Sequence, residues 1–433
     1  MLTRIYATAF PTQAELDEYL ARLEEAKKRD HRKIGKELGL FAFSELVGSG
    51  LPLFTPKGTF LREELNKVSQ GLREKIGFER VWVPHIAKND LYKVSGHWDK
   101  FSDEWLLVKS QESSDQLVMK PMNCPHHQQI YASAQRSYKD LPLRYMETTT
   151  VYRDEKAGEL LGLSRVRSIT QDDSHLFCTV EQIEEEYTNL IKIVDAFYKI
   201  LGMSYRVRLS FRDPTHPEKY HGDPETWDKA EAILKEIAEK NKLNYYEGPG
   251  EAAFYGPKMD FMVTDAIGRE WQCGTPQLDF VQPKRFGLVY TDKDGTEKTP
   301  VMIHFALMGA LERFISVYIE HTAGNFPAWL SYTQAVIIPV SNDKHLEYSV
   351  GVLKQLKEAG VRVILDDANE TLGNRIRKNQ AQKVPYMLII GDKEMENGTV
   401  NIRLRGGENL GEMKVEDFAK HALEKIQTRA LDL

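Results

Sequence analysis

The chain has 433 residues, 41% hydrophobic and 28% charged, a balance that suits a water-soluble protein of more than one domain. Its net charge of −6 excludes blanket nucleic-acid binding while leaving room for a local basic patch. Cys124, Cys178 and Cys273 form no CxxC pair, no apolar run approaches the roughly 18 residues of a membrane span, and the N-terminus lacks a signal-peptide core, so the expected setting is a reducing cytoplasm with no membrane partner.

Thr12-Gln13-Ala14-Glu15 reads as a capping box. The helix it opens carries Leu16, Tyr19, Leu20 and Leu23 on one face and runs on to Lys36, which predicts a peripheral linker helix over residues 1–38. Gly48-Ser49-Gly50 and Pro56-Lys57-Gly58 mark loops. Leu61, Leu65, Val68, Leu72 and Ile76 then recur at helical spacing, Gly77 ends the helix, and residues 78–84 read as a strand stopped by Pro84. Next come Ser95-Gly96-His97-Trp98-Asp99 and Met119-Lys120-Pro121-Met122-Asn123-Cys124-Pro125-His126-His127. Cys124 beside two histidines suggests a metal, but a zinc site usually needs three or four ligands and no second local pair appears. A lone cysteine is more often simply buried.

Residues 141–178 organise the rest. Two runs suited to β-structure, 144–151 and 166–170, flank a charged, glycine-containing loop. An antiparallel pair would gather Arg153, Arg165 and Arg167, several carboxylates and His175 around one place. Arginines in fixed positions suit a polyphosphate, and a histidine beside Asp173 suits a metal or a polar substrate. A solvated hairpin with ordinary surface charge is the alternative.

Helices are predicted over 181–201 and 225–241. The strands that follow are studded with Lys258, Asp260, Glu270, Gln272, Gln277 and Asp279, and a sheet face this polar is either exposed or the floor of an active site. His304 sits in an apolar run and, taken alone, reads as a core histidine. Arg313 sits inside an apolar helix, where an unpaired buried guanidinium is costly. From Ala335 the texture changes to alternating strands (336–340, 361–365, 386–390, 400–405) and helices (344–358, 372–382, 415–426), a small α/β domain of about 100 residues. Its Arg375, Arg377, Lys378, Lys383, Arg403 and Arg405 suggest RNA binding, or else a solvated helix face.

With these residues in view, the chain resembles the threonyl-tRNA synthetases, a family of class II aminoacyl-tRNA synthetases, over almost its whole length. The 60–77 helix with the strand to Pro84 is similar to class II motif 1, Tyr152-Arg153-Asp154-Glu155 through Arg165-Val166-Arg167 to motif 2, and Gly309-Ala310-Leu311-Glu312-Arg313-Phe314 to motif 3. MKPMNCP, TQDDSH, YGPKMDF and REWQCGTPQLDF stand between them in the family's order, and VPYMLIIGDKE follows motif 3. The resemblance implies an α+β catalytic domain over 39–330, an antiparallel sheet flanked by helices, followed by a small α/β anticodon-binding domain over 335–433. It implies a threonine–tRNA ligase that forms threonyl-adenylate from ATP and transfers threonine to tRNA(Thr), and that dimerises through motif 1.

The resemblance also assigns roles. Cys124, His175 and His304 become ligands of one Zn2+ per subunit, with a position open to threonine. Valine is nearly isosteric with threonine, so shape alone would separate the two only by roughly one to two hundredfold. A metal that needs the hydroxyl makes a sharper test. Asp173 would accept a hydrogen bond from the threonine hydroxyl, with Gln171, Tyr255 and Gln277 around the amino acid. Arg153 would hold the ATP α-phosphate, Arg313 the γ-phosphate and Glu155 the adenine amino group, with Arg165, Gln272 and Lys258 lining the region and Mg2+ accompanying ATP. His97 matches a histidine proposed to help deprotonate the tRNA 3′ hydroxyl. Asn369, Arg377, Glu394 and Arg403 match anticodon contacts.

Three departures stand out. Most bacterial members carry a ubiquitin-like and an editing domain before the core, and this chain begins at the helix that would follow them, as a shortened piece or as a naturally short enzyme. Phe305 stands where the family commonly has arginine, removing a cation near the site. His126 replaces a glycine two residues from Cys124 and opens the prospect of a rearranged ligand set. A non-catalytic RNA-binding relative and a prolyl-type synthetase are the rival readings. Retention of Arg153, Arg313, Cys124, His175 and His304 weighs against the first, and the Gln-Asp-Asp-Ser-His run against the second.

Overall fold

The computed structural model describes residues 7–100 and 104–433. Thr12 caps the first helix, Gln13–Arg29, by accepting the Glu15 N–H at 3.3 Å. The single helix expected to reach Lys36 is instead broken at Asp30, whose carboxylate accepts the Arg32 N–H and caps a second helix, His31–Leu38. Gln13–Arg29 buries none of its residues, whereas His31–Leu38 buries His31, Ile34 and Leu38.

The helix Pro56–Glu74 buries Leu61, Leu65, Val68 and Leu72 along one stripe, as its spacing predicts. The strand after it is only Glu79–Arg80. Beyond Val81 the chain leaves the ladder because the Glu147 carboxylate, not a backbone carbonyl, accepts the Val83 N–H at 3.0 Å.

Nine strands make the central sheet: β1 Glu79–Arg80, β2 Leu143–Tyr152, β3 Ser168–Cys178, β4 Ser204–Phe211, β5 Tyr245–Pro249, β6 Lys258–Thr264, β7 Glu270–Gln272, β8 Thr275–Asp279 and β9 Val301–Ala310. Their order is β5-β4-β6-β8-β9-β3-β2-β1, with β7 hydrogen-bonded to β6. Pairing is antiparallel except at the two ends, β5–β4 and β2–β1. β3 runs well past the expected 166–170, so Gln171 to His175 lie within the strand and their side chains alternate between faces. One face packs on the helices Pro56–Glu74, Ile183–Leu201, Pro224–Lys240 and Leu311–Thr322 in a core that includes Leu65, Tyr187, Leu190, Leu234 and Phe314. The other face carries polar side chains beside a smaller apolar cluster that includes Tyr131, Phe177, Leu288 and Met302.

From Ala335 a second sheet forms: β10 Ala335–Pro339, β11 Val363–Leu365, β12 Tyr386–Ile390, β13 Thr399–Leu404 and β14 Asn409–Lys414, in the order β11-β10-β12-β13-β14. The β10 pairs are parallel, and β13 and β14 join antiparallel. The fold is thus an α+β unit with a mainly antiparallel sheet, followed by a smaller α/β unit. β14 and the short helix Asp392–Asn397 went unread in the sequence because their polar residues carry no apolar period. No described helix is long and apolar enough to cross a membrane.

Candidate active site

Strand register assembles the site. Tyr145, His175, His304, Gln277 and Lys258 are successive partners across β2, β3, β9, β8 and β6. Glu147, Asp173, Ala306 and Thr275 form the neighbouring row on the same face. Cys124 approaches from above this face, at the start of the helix Cys124–Ala132.

The donor atoms of Cys124, His175 and His304 all lie within 4.8 Å of one another, and all three residues are buried. Each imidazole is held through one nitrogen. His304 Nε2 is 2.9 Å from Asp279 Oδ2, and His175 Nδ1 is 2.7 Å from His127 Nδ1. His127 Nε2 lies in turn 3.6 Å from Glu147 Oε2. The Tyr255 ring stacks on His304 at 4.7 Å and its hydroxyl donates to Gln277 Oε1 at 2.7 Å. Asn123 Nδ2 donates to Asp173 Oδ2 at 3.0 Å. Rings fixed at one nitrogen by a carboxylate or a second histidine present the other to a metal. One sulfur and two imidazoles are a donor set that fits Zn2+. Burial holds the Cys124 thiol well above its usual range and the His175 imidazole well below its own, so with no cation between them both are neutral.

Two expectations need correction. Phe305 does not vacate a cation position beside the site: strand alternation turns its side chain to the helix-backed core, opposite His304. His126 is not one of the three converging donors. It packs edge-on against Tyr92 at 6.2 Å with neither ring nitrogen partnered, and burial pushes it down to about 4. His97 is fully buried, with Nδ1 2.7 Å from Ser95 Oγ and Nε2 3.9 Å from Cys124 Sγ, and burial pushes it down to about 3.

Beside the three-donor cluster opens a cavity of about 440 Å³, lined by Arg153, Glu155, Arg165, Gln171, Gln272 and Arg313 among others. Arg313 is not buried in its apolar helix as the sequence suggested. Leu311, Glu312, Phe314 and Ile315 form the buried side, and Arg313 faces the cavity, donating from Nε to the Ser164 carbonyl at 3.2 Å. Arg165 pairs with Glu155 at 2.7 Å and Glu159 at 2.6 Å. Lys258 Nζ is 3.2 Å from Asp260 Oδ2, and Asp260 also accepts from Ser210, Arg208, Gln272 and Thr275.

Sequence reading missed the supports of this arrangement. Asp172, facing away from the site, accepts the Leu307, Met308 and Gly309 N–H groups at 3.1–3.2 Å, and so shapes the bulge that ends β9 before Arg313. Arg73 reaches from Pro56–Glu74 to the Asp172 carbonyl and Ser174 Oγ. His127 and Asp279 orient the two histidines. The one signal in the sequence was the doubled aspartate in Gln-Asp-Asp-Ser-His: within a strand, adjacent carboxylates must serve opposite faces.

In the C-terminal unit Asn369 and Arg377 are exposed, while Glu394 and Arg403 are half-buried. Arg375 is no surface cation: it is buried and donates to the Asp366 and Pro339 carbonyls. Arg405 likewise donates to the Asn325 and Phe326 carbonyls of the catalytic unit, and Lys378 pairs with Glu370.

Residues 101–322 match the tRNA synthetase class II core domain (G, H, P, S and T), and residues 334–425 match the anticodon binding domain. The chain is 50% identical to the threonine–tRNA ligase of Cytophaga hutchinsonii over 427 residues, 98% of this chain and 66% of that protein. It is 48% identical to the enzyme of the same name from Rubrobacter xylanophilus, over 99% of this chain and 67% of that one. The chain thus spans about two thirds of the length of the curated relatives it matches. A crystal structure described as the RNA binding domain of threonyl-tRNA synthetase from Cryptosporidium parvum superposes with a TM-score of 0.83 at 35% identity, covering 92% of this chain and 98% of that one.

Proposed function

The chain belongs to the threonyl-tRNA synthetases of class II, and on that premise we propose that it is a threonine–tRNA ligase that activates threonine with ATP and esterifies tRNA(Thr). The observation that carries this reading is the juxtaposition on one sheet face of the Cys124, His175 and His304 donors with a cavity walled by Arg153 and Arg313.

In this reading ATP fills the cavity with Mg2+ on its phosphates. Arg153 lies against the α-phosphate and neutralises charge as a threonine carboxylate oxygen bonds to phosphorus and pyrophosphate departs. Arg313 holds the γ-phosphate end. Glu155 receives the adenine amino group, its carboxylate fixed by Arg165. Gln272 and Lys258, both bound to Asp260, line the passage between the two substrates. Cys124, His175 and His304 would hold Zn2+, which when bound offers an open coordination position that a hydroxyl amino acid can fill and valine cannot. Asp173 accepts from the threonine hydroxyl, with Gln171, Tyr255 and Gln277 closing the pocket.

For the second step, His97 is assigned to the tRNA 3′ hydroxyl; its neutral imidazole can accept a hydrogen bond from that hydroxyl, while burial leaves it a weak base. Asn369, Arg377, Glu394 and Arg403 are assigned to the anticodon. The pairing of two chains is assigned from the resemblance of residues 60–84 to motif 1. A cytoplasmic setting is consistent with the activity. ATP–pyrophosphate exchange with threonine, serine, valine and proline in parallel tests the assignment. Exchange with threonine, weaker exchange with serine and none with valine or proline is expected. Proline as the preferred substrate, or no exchange with any of the four, would overturn it.

A further inference from the structure

A second group of converging donors among the described residues lies outside the site, where Asp30, His31 and Glu320 come together. It does not have the makings of a metal site, because its ligand atoms are taken by the protein. Asp30 is held by Arg32, and Glu320 by His31 and Arg269. Its significance lies in what His31 joins. The ring is 3% exposed and both nitrogens are engaged. Nε2 accepts the Leu163 N–H at 3.1 Å, so the proton is on Nδ1, which donates to Glu320 Oε1 at 2.7 Å. The same carboxylate oxygen accepts the His31 backbone N–H at 3.1 Å.

Leu163 belongs to the loop that carries Arg165 into the nucleotide cavity, and Glu320 to the helix Leu311–Thr322 that carries Arg313. The loop touches that helix at two further points: the Ser164 carbonyl accepts from Arg313, and Ser164 Oγ lies 2.9 Å from Ser316 Oγ. Residues 313, 316 and 320 fall on one side of the helix. The neighbouring Gly162 has φ +50°, and a Cβ there would stand 2.3 Å from His31 Nε2. The loop is therefore built to let this ring come close.

We infer that His31 is a positioning residue for the nucleotide pocket, bridging the Arg165 loop to the Arg313 helix and so setting the two cavity walls relative to each other from the N-terminal helices. The inference rests on the proposal that this cavity takes ATP. It makes the helix His31–Leu38 a lever on nucleotide affinity, though none of its residues lines the cavity.

The test uses the full chain. His31→Ala, which loses both ring hydrogen bonds, is expected to raise KM for ATP about tenfold in threonine-dependent exchange, with KM for threonine changed less than about twofold. His31→Gln, whose amide oxygen reaches the Nε2 position, is expected to recover most of the ATP affinity. His31→Asn, whose amide reaches only the Nδ1 position, is expected to recover little. Amide hydrogen exchange across residues 156–166, measured without nucleotide, is expected to speed up in the Ala and Asn variants and not in Gln. This last readout stands whatever the substrate proves to be. Unchanged exchange in the loop, equal rises in both KM values, or rescue by Asn as full as by Gln would each overturn the inference.

Discussion

His175 and His304 stand directly opposite each other on neighbouring antiparallel strands, ring centres 4.9 Å apart and planes at 79°. Two buried imidazoles this close, with the Cys124 sulfur beside them, converge as the donors of one cation site. The purified protein should carry one Zn2+ per chain, and Cys124→Ala should lose it, as read by elemental analysis after exhaustive dialysis. Full zinc occupancy in Cys124→Ala would remove Cys124 from the ligand set.

His127 touches no substrate in this reading, yet it orients His175 and is itself backed by Glu147. Partners of this kind typically contribute about 10–100-fold to metal affinity. His127→Ala should weaken zinc by that factor in competition against a chromogenic chelator, and His127→Asn should recover part of it. An unchanged affinity would mean that packing alone fixes the His175 ring.

Arg153 approaches the cavity from the end of β2. Removing a cation aimed at charge that develops in the transition state costs about 10²–10³ in rate. Arg153→Ala should lower threonine-dependent pyrophosphate exchange by that much while zinc content stays at the wild-type level. Normal adenylate formation would refute the role.

The anticodon unit offers a contrast two residues wide. Arg377 faces solvent and Arg375 is buried against two carbonyls. Arg377→Ala should weaken tRNA charging about tenfold, as for loss of one nucleic-acid contact, and leave pyrophosphate exchange intact. Arg375→Ala should instead lower the stability of the unit by about 2 kcal/mol, since it strands buried acceptors. Thermal melts and charging assays on the same samples separate the two.

What the sequence disclosed followed the reach of local pattern. The helix Pro56–Glu74, the strand Tyr386–Ile390 and the terminal helix Val415–Gln427 announce themselves through apolar spacing, and the arginines of the nucleotide cavity through motif order. The apolar helix alone suggested a buried Arg313, because a helical stripe gives the buried side but not what opens opposite it, whereas motif order assigned it to the site. Arg375 was misjudged because a basic run does not say which cation has carbonyls behind it. The Cys124, His175 and His304 group was invisible to spacing, since β-register joins His175 to a residue more than a hundred positions on and Cys124 arrives from a separate helix. His127 acts only through His175, so only geometry exposes it, and the doubled aspartate was the one hint of Asp172.

Glu320 provides a test that depends on acidity. Burial pushes its carboxyl up, but the hydrogen bonds from the His31 ring and backbone and from Arg269 together outweigh this and hold it below the ordinary 4.5. A carboxyl whose folded value lies below its unfolded one binds more protons in the unfolded chain over that interval. Its contribution is therefore complete above about pH 4.5 and is lost as pH falls through the lowered value. Glu320→Gln keeps the shape but removes the charge that faces Arg269, at a cost of about 2–3 kcal/mol near neutrality. The stability gap between wild type and Glu320→Gln in urea titrations should be widest at pH 7, hold to about pH 5 and narrow below that as the wild-type carboxylate takes up its proton. A gap that stays constant down to pH 3.5 would mean that the ion pair with Arg269 contributes nothing and that the His31 bridge holds by packing alone.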